Sequence, residues 1–369
     1  MIYLDYNATT PVLPEVMDAM LPYFTEKFAN PASRTHEMGR EAGKAVEDAR
    51  KVLAGHFGLE SKYCVFTSGA TEANNIVILG LRKYLKKIGK TKIVTSMFEH
   101  KAVLDPCKHL EEEEDFEVVY VRPKPTGYID PKDFEDAIDE NTGLVSLMHV
   151  NNELGTVQPV KEVGAIAKKY GALMHVDGAQ GFCKLKLELD EDIDYYTASA
   201  HKIYGPKGIG ALFINGRKAR KVLAPIMFGG GHETGLRSGT LPTPLIVGFA
   251  QAMKSTFKLY MNKSNITMRQ KNARLIEKQV SELENVSLNS AIDYDLATTT
   301  NLRIVNVNSE ALMFRLKEYC ISNGSACTSQ NYKPSHVLTS LNISDEDAKA
   351  SIRISIKDNF SVKEIIDLI

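Results

Sequence analysis

Several features that mark secreted, membrane or nucleic-acid-binding proteins are missing from this sequence of 369 residues. No apolar run approaches the length of a membrane span, and residues 1–6 have neither the basic nor the apolar region of a signal peptide. The net charge is −1, so no general basic field attracts nucleic acid. We therefore expect a cytoplasmic protein that makes no membrane contact and no direct contact with nucleic acid.

Cysteine is scarce, and the five cysteines are odd in number and widely scattered. They form no Cys-x-x-Cys pair, so the sequence predicts neither a disulfide framework nor a zinc site. Cys64 lies in an apolar run and is expected in the core, whereas Cys107, close to His109, is expected on a helix surface. Cys327 differs, because small polar residues surround it over residues 321–329, which indicates an exposed loop thiol. Its neighbours alone leave open whether it is an incidental surface cysteine.

Between about residues 65 and 215, short β-branched segments alternate with amphipathic helical stretches. The predicted strands include residues 93–96, 118–121, 144–148, 173–176 and 210–214. This alternation is typical of a mostly parallel sheet covered by helices. In such sheets, ligands bind in the crevice beyond the carboxyl ends of the strands.

The chain is long enough to form two hydrophobic cores, and its pattern changes within a helical stretch over residues 245–283. Beyond this stretch, residues 302–307 and 351–356 alternate like half-buried strands of a small α+β domain. The predicted division is a large α/β domain, residues 15–258, and a smaller α+β domain that carries Cys327, residues 1–14 and 259–369.

Lys202 and Asp177 together suggest a site for pyridoxal phosphate. Asp177 ends a predicted strand, and Lys202 follows one strand later. A lysine amine forms a Schiff base with the cofactor aldehyde, and an aspartate keeps the pyridine nitrogen protonated, so that the ring withdraws electrons from a carbanion. A single lysine is more often a solvated surface residue. The neighbouring residues decide between the two interpretations.

Other polar residues fall where such a site requires them. Residues 67–72 place small residues and free N–H groups at a helix N-terminus, which suits a phosphate, although capped helix starts of this kind are common. His100 follows a predicted strand and could stack on the cofactor or relay a proton. The candidate hydrogen-bonding residues are Ser199, His201 and Thr240 for the phosphate, Gln180 for the ring hydroxyl, and Asn152 for the hydroxyl or a substrate carboxylate.

These ordered motifs resemble those of the NifS/IscS-type cysteine desulfurases, which belong to the aminotransferase class V family of fold-type I pyridoxal phosphate enzymes. The resemblance covers essentially the whole chain. The matching stretches are residues 3–11, 30–33, 67–72, 99–103, 149–155, 175–180, 201–210, 229–233, 237–240 and 324–329. The resemblance implies a fold-type I transferase, an α/β protein whose large domain contains a mostly parallel seven-stranded sheet and whose smaller domain is α+β.

The resemblance also implies a role for each candidate residue. Lys202 would bind the cofactor covalently, Asp177 would pair with the pyridine nitrogen, and His100 would stack over the ring. The other cofactor contacts would be Ala70, Thr71, Ser199 and His201 at the phosphate, Thr240 at the phosphate of a second subunit in a homodimer, and Asn152 and Gln180 at the ring hydroxyl. Arg353 would bind the carboxylate of the substrate L-cysteine, with Asn152 as a further contact.

Cys327 resembles the family's persulfide-forming nucleophile, which takes the sulfur of L-cysteine and leaves L-alanine. No permanent metal is expected, although Cys327 could ligate an iron–sulfur cluster transiently. The run around Cys327 resembles the long-loop subgroup, which serves general or nitrogenase iron–sulfur assembly. The expected partner is an iron–sulfur scaffold or another sulfur-acceptor protein, for iron–sulfur cluster assembly or thiolation. Longer relatives continue beyond the position of Ile369 with a segment that docks the scaffold, so scaffold binding is left open.

Two alternatives compete with this interpretation. A selenocysteine lyase or another class V aminotransferase-type enzyme would use Lys202 and Asp177 without needing Cys327. A non-catalytic protein that handles sulfur or iron–sulfur clusters would use Cys327 as a ligand, but the intact cofactor residues argue against it. Gly178 and Ala200 stand where relatives often have alanine and glycine, an exchange that we expect to leave the chemistry unchanged.

Overall fold

The computed structural model of the protein describes residues 1–291, 293, 296–323 and 333–357. The strands in this part of the chain are β1 (Ile2–Tyr3), β2 (Cys64–Thr67), β3 (Lys92–Ser96), β4 (Glu117–Val121), β5 (Thr142–Met148), β6 (Leu173–Asp177), β7 (Tyr195–Ser199), β8 (Gly210–Ile214), β9 (Val286–Leu288), β10 (Thr299–Ile304), β11 (Tyr319–Cys320) and β12 (Ser351–Ser355). The α-helices are α1 (Pro14–Met20), α2 (Pro22–Thr25), α3 (Glu37–Gly55), α4 (Ala70–Ile88), α5 (Lys101–Glu113), α6 (Pro131–Ala137), α7 (Val160–Lys169), α8 (Gly216–Val222), α9 (Thr243–Tyr260), α10 (Lys263–Ser281), α11 (Ser309–Arg315), α12 (His336–Ser340) and α13 (Asp345–Lys349). None of these helices is long and apolar enough to cross a membrane.

Seven strands form the central sheet in the order β2-β8-β7-β6-β5-β3-β4. Strands β4, β3, β5, β6 and β7 run parallel, and β8 is antiparallel to both of its neighbours. Every residue of β5, β6 and β7 is buried, because hydrophobic clusters cover both faces of the sheet. The predicted α/β fold with a mostly parallel seven-stranded sheet is confirmed.

A second, antiparallel sheet has the order β12-β10-β9, and β1 pairs with β11 beside it. The core of this region consists of the buried residues Leu4, Ile276, Val280, Leu302, Ile352, Ile354 and Ile356. Helix α10 supplies two of these residues and begins at an Asn262 cap, just after α9 ends. The division into a large domain over residues 15–258 and a small remainder stays a prediction, which this separate core supports.

Three cysteines lie in the apolar interior. Cys64, Cys107 and Cys183 are at most 1% exposed, and burial raises the pKa of each thiol. The prediction of a surface position for Cys107 is wrong, because α5 packs this side of the helix, with Val103 and Leu110, against the sheet.

The turn after β6 is packed tightly against a buried tyrosine. A Cβ atom on Gly178 would lie 2.0 Å from Cε1 and Cζ of Tyr196. The Tyr196 ring contacts the rings of Phe57 and His149, and its hydroxyl lies 3.0 Å from Nδ1 of His149. Gly178 is therefore matched to the tyrosine on the neighbouring strand.

Replacing Gly178 should consequently destabilise the protein. Gly178→Ala should lower the free energy of unfolding by about 1–3 kcal/mol, because the added methyl group overpacks the site. Urea unfolding measures the change. Gly55→Ala is the control, since Gly55 is helical and no atom of the described residues lies within 4 Å of a Cβ atom there, and it should leave stability unchanged or raise it by up to about 1 kcal/mol. Equal stabilities of the two variants would contradict the overpacking.

Two histidines, His149 and His175, are buried in the region of the central sheet. His149 is 3% exposed and His175 is 0% exposed. Burial lowers the pKa of each from the ordinary value of 6.5 to about 4, so both rings are neutral near pH 7. When the chain unfolds, both regain their ordinary pKa. The unfolded state therefore binds more protons than the folded state between pH 6.5 and pH 4.

The contribution of these two histidines to stability should be complete above pH 6.5 and should decline as the pH falls toward 4. His175→Asn removes one of the two groups and keeps a polar partner for Ser146, whose Oγ lies 2.8 Å from Nδ1 of His175. The variant's unfolding free energy should depend less steeply on pH in this window, by up to about 1.4 kcal/mol per pH unit. Urea unfolding of both proteins across the window measures the two slopes, and parallel curves would refute the assignment.

Candidate active site

The topology of the central sheet gathers chemically useful residues at one edge. Strands β3, β5, β6 and β7 are parallel, and β2 runs in the same direction because β8 is antiparallel to both β2 and β7. Their carboxyl ends therefore meet, with Ala70, His100, Asn152, Asp177 and Lys202 at or just beyond them. This edge lines a cavity of about 720 Å³.

The cavity brings together most of the predicted site residues. Those that line it are Ala70, Thr71, His100, Asn152, Asp177, Gln180, Ser199, His201, Lys202 and Arg353. Thr240 is exposed and does not line the cavity of its own chain, and its contact with a second subunit stays a prediction. Cys327 lies outside the described residues.

Lys202 enters the cavity from the 3₁₀ turn that follows β7. Its Nζ donates to the main-chain carbonyl oxygens of Asn7 and Ala8, at 2.5 and 2.9 Å. The same Asn7 oxygen accepts from Nε2 of Gln180 at 2.8 Å. The N-terminal segment thus holds the amine with carbonyl dipoles that stabilise a positive charge.

Asp177 offers a carboxylate whose two oxygens both have N–H donors. The main-chain N–H of Ala179 donates to Oδ1 at 2.9 Å, and Nδ2 of Asn74 donates to Oδ2 at 2.7 Å. The residue is 5% exposed and lines the cavity. These two bonds fix the orientation of the carboxylate at the end of β6.

The first turn of α4 has the properties of an anion site. Among the residues that the structure describes, no side chain caps this helix, and the N–H groups of Ala70 and Thr71 at the cavity wall have no intrahelical partner. Glu72 accepts from the N–H of Ser68 at 2.6 Å, and its charge is balanced by Arg237 at 2.7 Å. The partial positive charge of the helix N-terminus therefore faces the cavity and suits a phosphate.

Ser199 and His201 supply polar side chains on the same side of the cavity. Oγ of Ser199 would lie 3.7 Å from a Cβ atom on Gly69, next to the start of α4. Nδ1 of His201 lies 3.2 Å from Oγ1 of Thr9, and burial lowers the pKa of this imidazole to about 4. Both side chains are therefore uncharged hydrogen-bonding groups near pH 7.

His100 caps helix α5, and its ring opens into the cavity. Nδ1 accepts from the N–H of Ala102 at 3.1 Å, so a neutral ring carries its proton on Nε2. Desolvation by the protein around the ring lowers its pKa; the charge of Asp177 opposes this effect, and that of Lys202 adds to it. The ring is neutral near pH 7 and can donate from Nε2.

Arg353 reaches the cavity from β12 of the second sheet. One terminal nitrogen donates to Oδ1 of Asp5 at 2.6 Å, and the other donates to the main-chain oxygen of Asn152 at 3.1 Å. Its Nε is buried and has no hydrogen-bond partner in the described part of the chain. Asp5 thus orients a guanidinium that retains the capacity to bind a carboxylate.

The two ends of the segment that contains Cys327 lie beside this site. Before the segment, Ser322 forms a main-chain bridge with Arg353. After it, Oγ of Ser335 donates to Oε2 of the buried Glu153 at 2.5 Å. Arg353 lines the cavity, and Glu153 directly follows Asn152, which also lines it. The chain therefore leaves and rejoins the described structure next to the cavity.

Some residues that hold the site in place were not predicted from the sequence. Asp5 and Asn7 lie in a matching motif, but their partners Arg353 and Thr299 are far along the chain and give no local signal. Asn74 did carry a signal. It is a polar residue on the apolar face of α4, where a side chain is buried and needs a specific partner.

Comparisons with known proteins agree along the whole chain. The aminotransferase class-V family matches residues 2–368. A cysteine desulfurase IscS from Rickettsia bellii is 45% identical over 367 residues, which cover 99% of this chain and 88% of the relative. A solved NifS-like protein has a TM-score of 0.89 at 33% identity, over 100% of this chain and 98% of that chain. SspA, solved in complex with cysteine, has a TM-score of 0.84 at 40% identity, over 96% and 99%.

The predicted family and fold are confirmed by these matches, since a single family accounts for both sheets and for every stretch that lines the cavity. The Rickettsia bellii relative is similar in sequence over nearly its whole length, so the similarity extends beyond the fold. The chain therefore belongs to the aminotransferase class V family of pyridoxal phosphate enzymes and, within it, to the cysteine desulfurases of the IscS and NifS type.

Proposed function

We propose that this protein takes the sulfur of L-cysteine onto Cys327 as a persulfide and releases L-alanine, with pyridoxal phosphate bound in the cavity. The observation that carries the proposal is that one cavity holds the Lys202 amine, the Asp177 carboxylate and the open N-terminus of α4. These three groups match the aldehyde, the ring nitrogen and the phosphate of that cofactor. The cavity volume is also in the range of small-ligand sites.

The other lining residues would complete the binding of the cofactor. The proposed contacts are Ala70, Thr71, Ser199 and His201 with the phosphate, His100 with the face of the ring, and Asn152 and Gln180 with the ring hydroxyl. When bound, pyridoxal phosphate supplies an aldehyde for the substrate amine and a ring that withdraws electrons from the substrate Cα. In a homodimer, Thr240 would serve the partner's phosphate site, since it is exposed and does not line the cavity of its own chain.

Three residues would act on the bound substrate. Arg353 would bind the carboxylate of L-cysteine, since its guanidinium is oriented by Asp5 and keeps Nε without a partner in the described part of the chain. The Lys202 amine would then carry the α-proton, because it lies in the same cavity. His100, neutral with a proton on Nε2, would serve as a second site for proton transfer.

Cys327 would receive the sulfur. Its thiolate attacks the sulfur of the bound cysteine, a sulfur–sulfur bond forms, and the Cβ–S bond breaks with its electron pair left on the carbon framework. Protonation of that framework gives alanine, so no external oxidant or reductant is required. The anchoring of both ends of this segment beside the cavity supports the assignment. The acceptor of the persulfide sulfur would be an iron–sulfur scaffold or another sulfur-carrying protein, and a cytoplasmic location stays a prediction.

Turnover of L-cysteine by the purified protein, supplied with pyridoxal phosphate and a thiol reductant, tests this function. Wild type should produce alanine and sulfide in equal amounts. Lys202→Ala should lose at least about a hundredfold in rate, because it removes the proton carrier. Cys327→Ala should lose most of its sulfide release and keep the visible absorbance of the bound cofactor.

Cys320→Ala is the control for Cys327→Ala, since Cys320 pairs with Tyr3 in the small sheet and does not line the cavity. It should keep the wild-type rate. Unchanged turnover in Cys327→Ala would favour a selenocysteine lyase or another class V activity. Wild-type protein that binds the cofactor and leaves L-cysteine unchanged would refute the proposal.

The pairing of Asp5 with Arg353 predicts a specific kinetic effect. Asp5→Asn should raise KM for L-cysteine about tenfold and change kcat less, because the guanidinium loses a charged hydrogen-bond partner and its fixed orientation. Steady-state alanine production measures both constants. Asp18→Asn, an exposed position on α1, is the control and should match wild type. A fall in kcat at constant KM would contradict a role in binding the carboxylate.

A further inference from the structure

A buried chain of three polar side chains ends at the Asp177 carboxylate. Oγ1 of Thr197 donates to Oδ1 of Asn74 at 2.7 Å, and Nδ2 of Asn74 donates to Oδ2 of Asp177 at 2.7 Å. Thr197 and Asn74 are both 0% exposed. Neither residue lines the cavity, so they reach it only through Asp177.

The direction of these two bonds follows from the chemistry of the groups. A carboxylate only accepts hydrogen bonds, so the end of the Asn74 amide that faces Asp177 must be its NH₂ group. The carbonyl end then faces Thr197, whose hydroxyl must donate. Thr197 therefore selects the amide orientation that serves Asp177, and the reversed amide would place two acceptors against each other.

The hydrogen-bonded side chains of Thr197, Asn74 and Asp177 also connect the two ends of the proposed cofactor site. Asn74 is four residues after Ala70 and lies on the same side of α4, whose first turn faces the cavity. Thr197 is directly opposite Asp177 in the sheet and two residues before Ser199, on the same face of β7. One amide thus sets the separation between the phosphate turn of α4 and the carboxylate at the end of β6.

Stability alone does not account for these hydrogen-bonded polar side chains. A buried threonine and asparagine can usually be replaced together by apolar residues of similar shape at little cost. Asn74 also stands on a helix face that is otherwise apolar, with Val77, Ile78 and Leu81. The group that needs a polar neighbour there is Asp177, because without the amide its Oδ2 would lose its donor.

We propose that Asn74 and Thr197 are positioning residues that fix the Asp177 carboxylate against the ring nitrogen of pyridoxal phosphate. This inference rests on the proposed binding of that cofactor in the cavity. Thr197 orients Asn74, Asn74 orients Asp177, and the carboxylate is thereby held in a fixed position relative to the first turn of α4.

Thr197→Val tests the proposal, because valine keeps the shape and the strand preference of threonine and removes only the donor. Thr197→Ser keeps the donor and is the matched control. Apoprotein would be titrated with pyridoxal phosphate labelled with ¹⁵N in the ring. Thr197→Val should bind it about tenfold more weakly than wild type, with the ring ¹⁵N resonance shifted toward the unprotonated position. Thr197→Ser should match wild type in both respects.

Asn74→Ala provides the second arm of the experiment. Alone, it should weaken cofactor binding at least as much as Thr197→Val. Combined with Thr197→Val, it should weaken binding no further, because Thr197 acts through Asn74. The melting temperatures of the apoproteins show whether the single variants are folded.

The outcomes separate this inference from the function on which it rests. Wild type that does not bind the cofactor would overturn the proposed function and the inference with it. Wild type that binds normally, with Thr197→Val equal to it in affinity and in ¹⁵N shift, would overturn the inference alone. Additive effects of the two substitutions would also overturn it, since each residue would then act separately.

Discussion

The shape of the site depends on one residue, Asn7, which is hydrogen-bonded to both sheets. Its main-chain oxygen accepts from Lys202 and Gln180 of the large sheet region. Its side-chain amide donates to the main-chain oxygen of Asn152 and to Thr299 of the second sheet. The cavity wall is therefore a product of tertiary contacts between distant parts of the chain. The N-terminal segment acts as the connector that holds the lysine amine and the second sheet at a fixed separation.

Burial simplifies the electrostatics of the cavity. Desolvation lowers the pKa of His100 and raises the pKa of Glu99 to about 8, so both side chains are mostly uncharged near pH 7. Among the described residues, the charged side chains that line the cavity are those of Lys202, Lys207, Asp177 and Arg353, and they dominate the field at this edge of the sheet. Because His100 and Glu99 are mostly uncharged, they do not weaken the attraction between these charged groups and a charged ligand.

Local patterns made the sheet and the placement of Lys202 and Asp177 predictable. Short apolar runs identify buried strands, and the direction of parallel strands determines which edge collects the functional residues. The contacts of Asp5 were not predictable, because its partner lies at the other end of the sequence. Cys107 was misplaced for a different reason. The polar His109 two residues away suggests a surface, but the helical spacing of three residues places Cys107 on the same face as the buried Leu110.

The burial of Cys64, Cys107 and Cys183 has a consequence for a protein that carries sulfur on a thiol. A persulfide donates sulfur to thiolates, so a reactive cysteine elsewhere in the same chain would compete with the acceptor protein for the sulfur. These three cysteines are protonated, because burial raises their pKa values, and they are closed off from solvent by apolar packing. In the described part of the chain, burial in the hydrophobic core therefore prevents these three thiols from reacting with the transferred sulfur.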